Sequence, residues 1–261
     1  PLVMGILNVT PDSFYDGSKY LNQPEITSRL KQMVLEGVDI IDIGGYSSRP
    51  GAAHISIKSE LERILPAIPT AREVAPEIPI SIDTFRSDVA SAALDAGADM
   101  INDISGGGLD PLMFELVADR QVPYILMHMK GDPQTMEQQI VYEDLLTDIL
   151  QYFLEKITLL HQLGVKDVII DPGFGFAKSK EQNFRLLANL NYLKTLGLPL
   201  LAGLSRKSMI YKTLEVTPEK ALTGTIAANT IALIQGANIL RVHDIAEAKQ
   251  TINLFKQTFP G

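Results

Sequence analysis

Residues 80–105 read ISIDTFRSDVASAALDAGADMINDIS, and this stretch decides the fold. An apolar run of strand length, Ile80 to Thr84, passes through helix-period sequence at Val89 to Ala96 into a second apolar run at 100–105. Runs this hydrophobic on both faces belong to a parallel sheet covered by helices. The same unit recurs in both directions. Upstream lie Val3 to Val9, a helix with Ile26, Leu30, Met33 and Val34 on one face that Gly37 ends, the run Ile40 to Gly45, and a helix carrying Leu61, Ile64, Leu65 and Ile68. Downstream come runs at 124–128, 168–172, 199–205 and 238–243, separated by helical segments such as Leu145 to Leu160, and a last helix with Ile245, Ala248, Ile252 and Phe255 on one face. Eight strand-helix units in 261 residues predict an α/β protein folded as a single closed (β/α)8 TIM barrel. An open doubly wound sheet usually has only about five to seven strands. No linker or composition shift divides the chain, so residues 1–261 are read as one domain.

Composition narrows the function. With 46% hydrophobic and 21% charged residues, disordered, collagen-like and low-complexity classes are excluded. Twenty-three basic against 31 acidic residues leave a net charge of −8, which argues against nucleic acid or an anionic membrane as partner. A small anionic substrate held by a few local Arg and Lys side chains stays open. The chain has no cysteine, so disulfides, thiolate metal sites and Cys nucleophiles are ruled out. No apolar run approaches the roughly 18 residues of a membrane span, and residues 1–8 lack the basic start and long apolar stretch of a secretion signal. A cytoplasmic protein is expected. Because the chain begins at Pro1 and not at Met, a short leading segment is expected to precede it.

Barrel enzymes work at the C-terminal ends of their strands. Here those ends carry Asn8, Ser47-Ser48-Arg49, Asp83, Asn102-Asp103, His128, Asp171, Ser205-Arg206-Lys207 and Arg241-Val242-His243. One such residue could simply cap a helix or meet water, but a polar group at nearly every strand end marks a functional mouth. Arg49, Lys207, Arg241 and His243 form an anion-binding set. Asp244 and Glu247 have capping-box spacing at the start of the last helix, whose free N–H groups could face the same phosphate or pyrophosphate. Asp83, Asn102 and Asp171 end apolar runs, and a buried carboxylate needs a partner. A flat heterocycle with adjacent ring N–H and amino donors supplies one, while Lys207 can donate to an acceptor on the same ring.

Other motifs fail. Phe174-Gly-Phe-Ala-Lys178-Ser179 ends like a phosphate-binding loop but lacks its leading spacing, no G-x-G-x-x-G follows the first strand, and H-E-x-x-H is absent. The four histidines, 54, 128, 161 and 243, lack zinc-site spacing, and His54 and His161 are expected at the surface.

Seven motifs in order along the chain resemble the signatures of the dihydropteroate synthase family: Asn8-Val-Thr-Pro-Asp-Ser-Phe14, Asp42-Ile-Gly-Gly-Tyr-Ser-Ser-Arg-Pro-Gly51, Ser81-Ile-Asp-Thr84, Ile101-Asn-Asp-Ile104, Asp171-Pro-Gly-Phe-Gly-Phe176, Ser205-Arg-Lys-Ser208 and Arg241-Val-His-Asp244. The resemblance implies a TIM barrel, commonly a homodimer and a sulfonamide target. Its reaction joins 6-hydroxymethyl-7,8-dihydropterin pyrophosphate to p-aminobenzoate, releasing pyrophosphate and 7,8-dihydropteroate. Carried over residue by residue, it implies that Asp171, Asn102 and Lys207 recognise the pterin and that Asp83 stabilises its cation. Arg241 and His243 would hold the pyrophosphate, Asn8 would contribute to Mg²⁺, and Phe176, Ser208, Ser48 and Arg49 would form the p-aminobenzoate side. Asp83, Arg49 and Lys207 are the residues expected to carry catalysis. The loops at 10–20 and 46–55, rich in Gly, Pro and Ser, are expected to close over the site. Tyr46 stands where the family more often has an acidic or polar residue, and an aromatic packing the loop base is the expectation there. The alternatives are a methyltetrahydrofolate-binding methyltransferase domain, which needs no pyrophosphate cradle, and a non-catalytic pterin-binding barrel.

Overall fold

A computed structural model describes residues 1–10, 23–47 and 54–260. Eight strands, β1 Leu2–Asn8, β2 Ile40–Gly44, β3 Ile80–Asp83, β4 Met100–Asp103, β5 Tyr124–Met127, β6 Val168–Asp171, β7 Leu201–Ala202 and β8 Ile239–Val242, form one parallel sheet in which β1 pairs with both β2 and β8. The remaining seam, between β6 and β7, is thin. It consists of the bridge Ile170↔Leu200 and a 2.9 Å bond from Ile170 N–H to the Pro199 carbonyl, which close the barrel. Around it lie α1 Gln23–Leu35, α2 Ile57–Ile64, α3 Ala67–Val74, α4 Ser87–Asp95, α5 Met113–Arg120, α6 Leu145–Gln162, α7 Lys180–Ala188, α8 Ser208–Thr213, α9 Leu222–Ile234 and α10 Ile245–Thr258.

Three expectations are corrected. The single helix through Leu61 to Ile68 is two, α2 and α3, because Pro66 has no N–H to donate back along the helix and takes the N-cap of the second. The run at 100–105 ends at Asp103, whose carboxylate accepts the backbone N–H groups of Ser105 and Gly107 and curls the chain into a turn. The run at 199–205 keeps only Leu201 and Ala202 as strand, since the chain turns at Arg206, which has φ of 55°.

The period-two alternation of the strands builds the site. Met4, Ile40, Met100, Ile125, Leu201 and Ile239 pack together as an apolar floor inside the barrel, with Ile169 against them. Two residues further along their strands, on the same inward side, come Asp42, Asn102, Asp171 and Arg241. The opposite faces, including Ile41, Ile43, Ile80, Ile82, Ile101, Ile170 and Leu240, are buried against the helices. Each fully buried aliphatic side chain contributes about 1.5–3 kcal/mol, so this double-sided burial holds polar groups rigidly at the centre.

Candidate active site

Above the apolar floor, one cation ties together strands distant in sequence. Arg241 Nε donates to Asp42 Oδ2 at 2.7 Å, and its Nη2 lies 2.6 Å from Asp83 Oδ2. Asn102 Nδ2 donates to the same Asp42 oxygen at 3.2 Å. Asp42 is fully buried, and its second oxygen, Oδ1, has no protein partner. Burial alone would lower Arg241, but Asp42 and then Asp83 outweigh it and hold the guanidinium charged. The Arg241 guanidinium thus bonds two carboxylates of the barrel wall. Asp42 is the site residue that strand-end reasoning passed over. Its signal was its alternation with Ile40 and Gly44 on the inward side of β2.

Asp83 ends β3 and borders an open space. A Cβ on Gly44 would stand 3.7 Å from both Asp83 Oδ2 and Asn8 Oδ1, so the missing side chain at Gly44 keeps the gap between these two oxygens clear. Burial pushes the Asp83 carboxyl up from 3.8 to about 7, the Arg241 guanidinium pulls the other way, and the Asp42 charge adds to the rise. An unfolded chain releases this proton near 3.8, whereas the folded one keeps it to about 7. Folding therefore takes up a proton between those values, and the stability this contributes is complete below the lower and lost as pH rises through the upper. Between about pH 5 and pH 8 the thermal midpoint of the wild type should fall relative to that of Asp83→Asn, measured by circular dichroism. Parallel curves for the two proteins would refute the assignment.

Asp171, at the end of β6, accepts the Gly173 N–H on Oδ1 at 2.8 Å, while a Cβ on Gly203 would come within 3.8 Å of Oδ2. Burial raises its pKa, against the pull of that N–H and of Lys207. Lys207 Nζ sits 4.2 Å from the centre of the Phe176 ring, within cation–π range, and Ser208 follows it as the first residue of α8. Glycine is required at position 175, where φ is +79° and a Cβ would press to 3.1 Å from Lys207 Cδ.

His243 is fixed from several sides. Ser205 Oγ accepts the His243 backbone N–H at 3.2 Å and lies 3.0 Å from Nδ1, so the hydroxyl can donate to the ring and leave the proton on Nε2. Arg29 Nη2 donates to the His243 carbonyl at 2.9 Å. The capping box expected at α10 does not form. The Asp244 carboxylate instead takes two bonds from Arg206, at 2.9 Å from Nε and 2.5 Å from Nη2.

Ser48, Arg49 and nearly all of the loop at 10–20 lie outside the described residues. Tyr46 packs as expected, edge-on to Phe85 at 5.1 Å, with its hydroxyl 3.2 Å from His54 Nδ1. It joins an apolar group with Phe85, Ile104, Met127, Met129, Met136 and Phe176. A shallow cavity of about 310 Å³ opens beside this group, between Tyr46, Phe85 and Arg86, away from the polar ring.

Comparison with known proteins agrees with this arrangement. The family model described as pterin binding enzyme matches residues 4–243. A dihydropteroate synthase of Synechocystis sp. is 49% identical over 251 residues, covering 95% of this chain and 86% of the relative. The chain belongs to the dihydropteroate synthase family. Among solved structures, the Yersinia pestis dihydropteroate synthase in a sulfonamide drug complex superimposes with a TM-score of 0.93 at 40% identity, covering 99% of this chain and 94% of that one. The Xanthomonas albilineans dihydropteroate synthase with 4-aminobenzoic acid gives 0.87 at 39% identity, covering 99% and 93%. Membership of the dihydropteroate synthase family is what the seven motifs led one to expect, and it sets aside the methyltransferase alternative.

Family membership raises the question of a metal. Among the described residues no group of three or more His, Cys, Asp or Glu side chains could hold one. Asn8 Oδ1, beside the Asp83 carboxylate, fits a Mg²⁺ ion whose other ligands come from substrate oxygens and water, the usual habit of this ion. No helix among the described residues is long and apolar enough to cross a membrane.

Proposed function

We propose that this protein joins 6-hydroxymethyl-7,8-dihydropterin pyrophosphate to p-aminobenzoate, releasing pyrophosphate and 7,8-dihydropteroate. The observation that carries the reading is the convergence of Asp83, Asn102 and Asp171 inside one barrel with Lys207 and Phe176 stacked at its rim. Asp171 accepts from the pterin amino group and adjacent ring N–H, and Asn102 and Lys207 complete its recognition. An electron-rich dihydropterin can expel pyrophosphate from its exocyclic methylene and spread the positive charge over the ring. The Asp83 carboxylate stabilises that cation, and the arylamine nitrogen then attacks it, forming the new C–N bond and releasing one proton to solvent. No covalent enzyme nucleophile is needed. Arg241 and His243 hold the departing pyrophosphate. Arg241 keeps Asp42 and Asp83 charge-balanced beneath it. Asn8 would hold Mg²⁺, and the ion when bound neutralises charge on the pyrophosphate. Phe176, Ser208, Ser48 and Arg49 form the p-aminobenzoate side.

A homodimer is part of this reading, and sedimentation analysis of the purified protein should show a dimer. A cytoplasmic location is part of the same reading. The function is tested by a pyrophosphate-release assay with dihydropterin pyrophosphate, run with and without p-aminobenzoate and Mg²⁺. Release should be fast, dependent on Mg²⁺ and matched by dihydropteroate when p-aminobenzoate is present, and slow without it. Failure to form dihydropteroate rejects the proposal.

A further inference from the structure

The Lys178-Ser179 pair, which imitates the end of a phosphate-binding loop, has another surrounding. Lys178 is 8% exposed, and its Nζ lies 3.0 Å from His128 Nδ1, 3.0 Å from the Gly173 carbonyl and 3.0 Å from the Phe176 carbonyl. Burial lowers Lys178 to about 7, and its Nζ donates to both carbonyls and can donate to His128 Nδ1 in the tautomer that carries the ring proton on Nε2. The carbonyls converge because the loop after β6 alternates hands: Gly173, Gly175 and Ala177 have φ of 69°, 79° and 48°. Ala177 adopts that left-handed conformation without a glycine's freedom, so the surrounding bonds must hold it there. Asn183, buried on α7, accepts the Gly175 N–H at 2.7 Å and donates to the Lys178 and Ser179 carbonyls. Tyr142 donates its hydroxyl to the Ala177 carbonyl at 2.8 Å. On its outer side this loop presents Phe176, over whose ring Lys207 sits.

We infer that Lys178 is a positioning residue for the p-aminobenzoate subsite, drawing the 173–178 loop inward so that Phe176 lies flat beneath Lys207. The inference rests on the proposed function, since it takes Phe176 to line that subsite. Its effect is confined to one substrate. Asp171, which faces the pterin, is held by the sheet itself, with its carbonyl accepting His128 N–H at 2.9 Å, while Phe176 lies beyond the strand and is placed by the loop together with its apolar neighbours Phe85, Ile104 and Met127.

The test is steady-state kinetics on Lys178→Met, which keeps the side-chain length and removes the ammonium. The KM for p-aminobenzoate should rise by about tenfold or more, with the KM for pterin pyrophosphate held within about twofold, because small misplacements of a contact surface cost large factors for the substrate that touches it. Should Lys178→Met fail to fold, Asn183→Ser reaches the same loop from α7 and should give the same split. Equal rises in both KM values, or an unchanged KM for p-aminobenzoate, would overturn the inference. A wild-type protein that makes no dihydropteroate would overturn the proposed function instead, so the two failures are told apart.

Discussion

Asp83→Asn is expected to fold and to lose about a hundredfold or more in the rate of dihydropteroate formation. The side chain keeps its size and an oxygen that can accept from Arg241 Nη2, so the 2.6 Å contact in the barrel wall has a replacement. What is lost is the negative charge next to the pterin at the moment the methylene becomes cationic. A single fixed group aimed at developing charge in an enclosed site typically accounts for about 3–4 kcal/mol of barrier, or roughly two to three powers of ten. The loss should appear in kcat and in single-turnover rates, with pterin binding by calorimetry changed far less, since the substrate itself carries no such charge. Lys207→Ala should show a comparable loss, accompanied by weaker binding of both substrates because its ammonium lies between them. Near-normal turnover in either variant removes that residue from the catalytic set.

Arg241→Met is expected to fail in stability first. It would leave Asp42, fully buried, and Asp83 facing each other without a countercharge. Removing one partner from a buried ion pair typically costs about 3–5 kcal/mol, because the remaining charge has neither water nor an opposite sign to answer it. Urea denaturation should show a lower midpoint with an unchanged slope. Asp42→Asn in the same chain should recover much of the loss by taking away the stranded charge, while leaving dihydropteroate formation low. A single Arg241→Met variant as stable as the parent would show that the three side chains do not form the balanced unit described.

The strands were legible because burial on two faces leaves an apolar run that little else produces, and the polar groups at their ends stood out against it. Asp42 did not stand out, since it lies inside such a run, and its partner Arg241 is 199 residues away. Lys178 was visible only as part of a failed phosphate-loop motif. Its three acceptors come from two different strand-end loops, with His128 50 residues earlier. Spacing also suggested an N-cap for Asp244. The nearby Arg206 guanidinium, with a full charge and two parallel donors, outcompetes the backbone N–H groups for that carboxylate.

Sequence alone determined the architecture and the chemistry that gathers at the barrel mouth. Alternation along a strand is a local property, and it assigns inward and outward faces before any strand meets its neighbour. The seven motifs determined the family by the same local means. Tertiary structure decided which charge answers which: that Arg241 clamps Asp42 to Asp83, that Ser205 fixes the ring of His243, and that Lys178 holds the loop beneath Lys207. Those pairings exist only after barrel closure brings distant strand ends within hydrogen-bond reach. There, low polarizability makes each unpaired charge costly and so selects the partner.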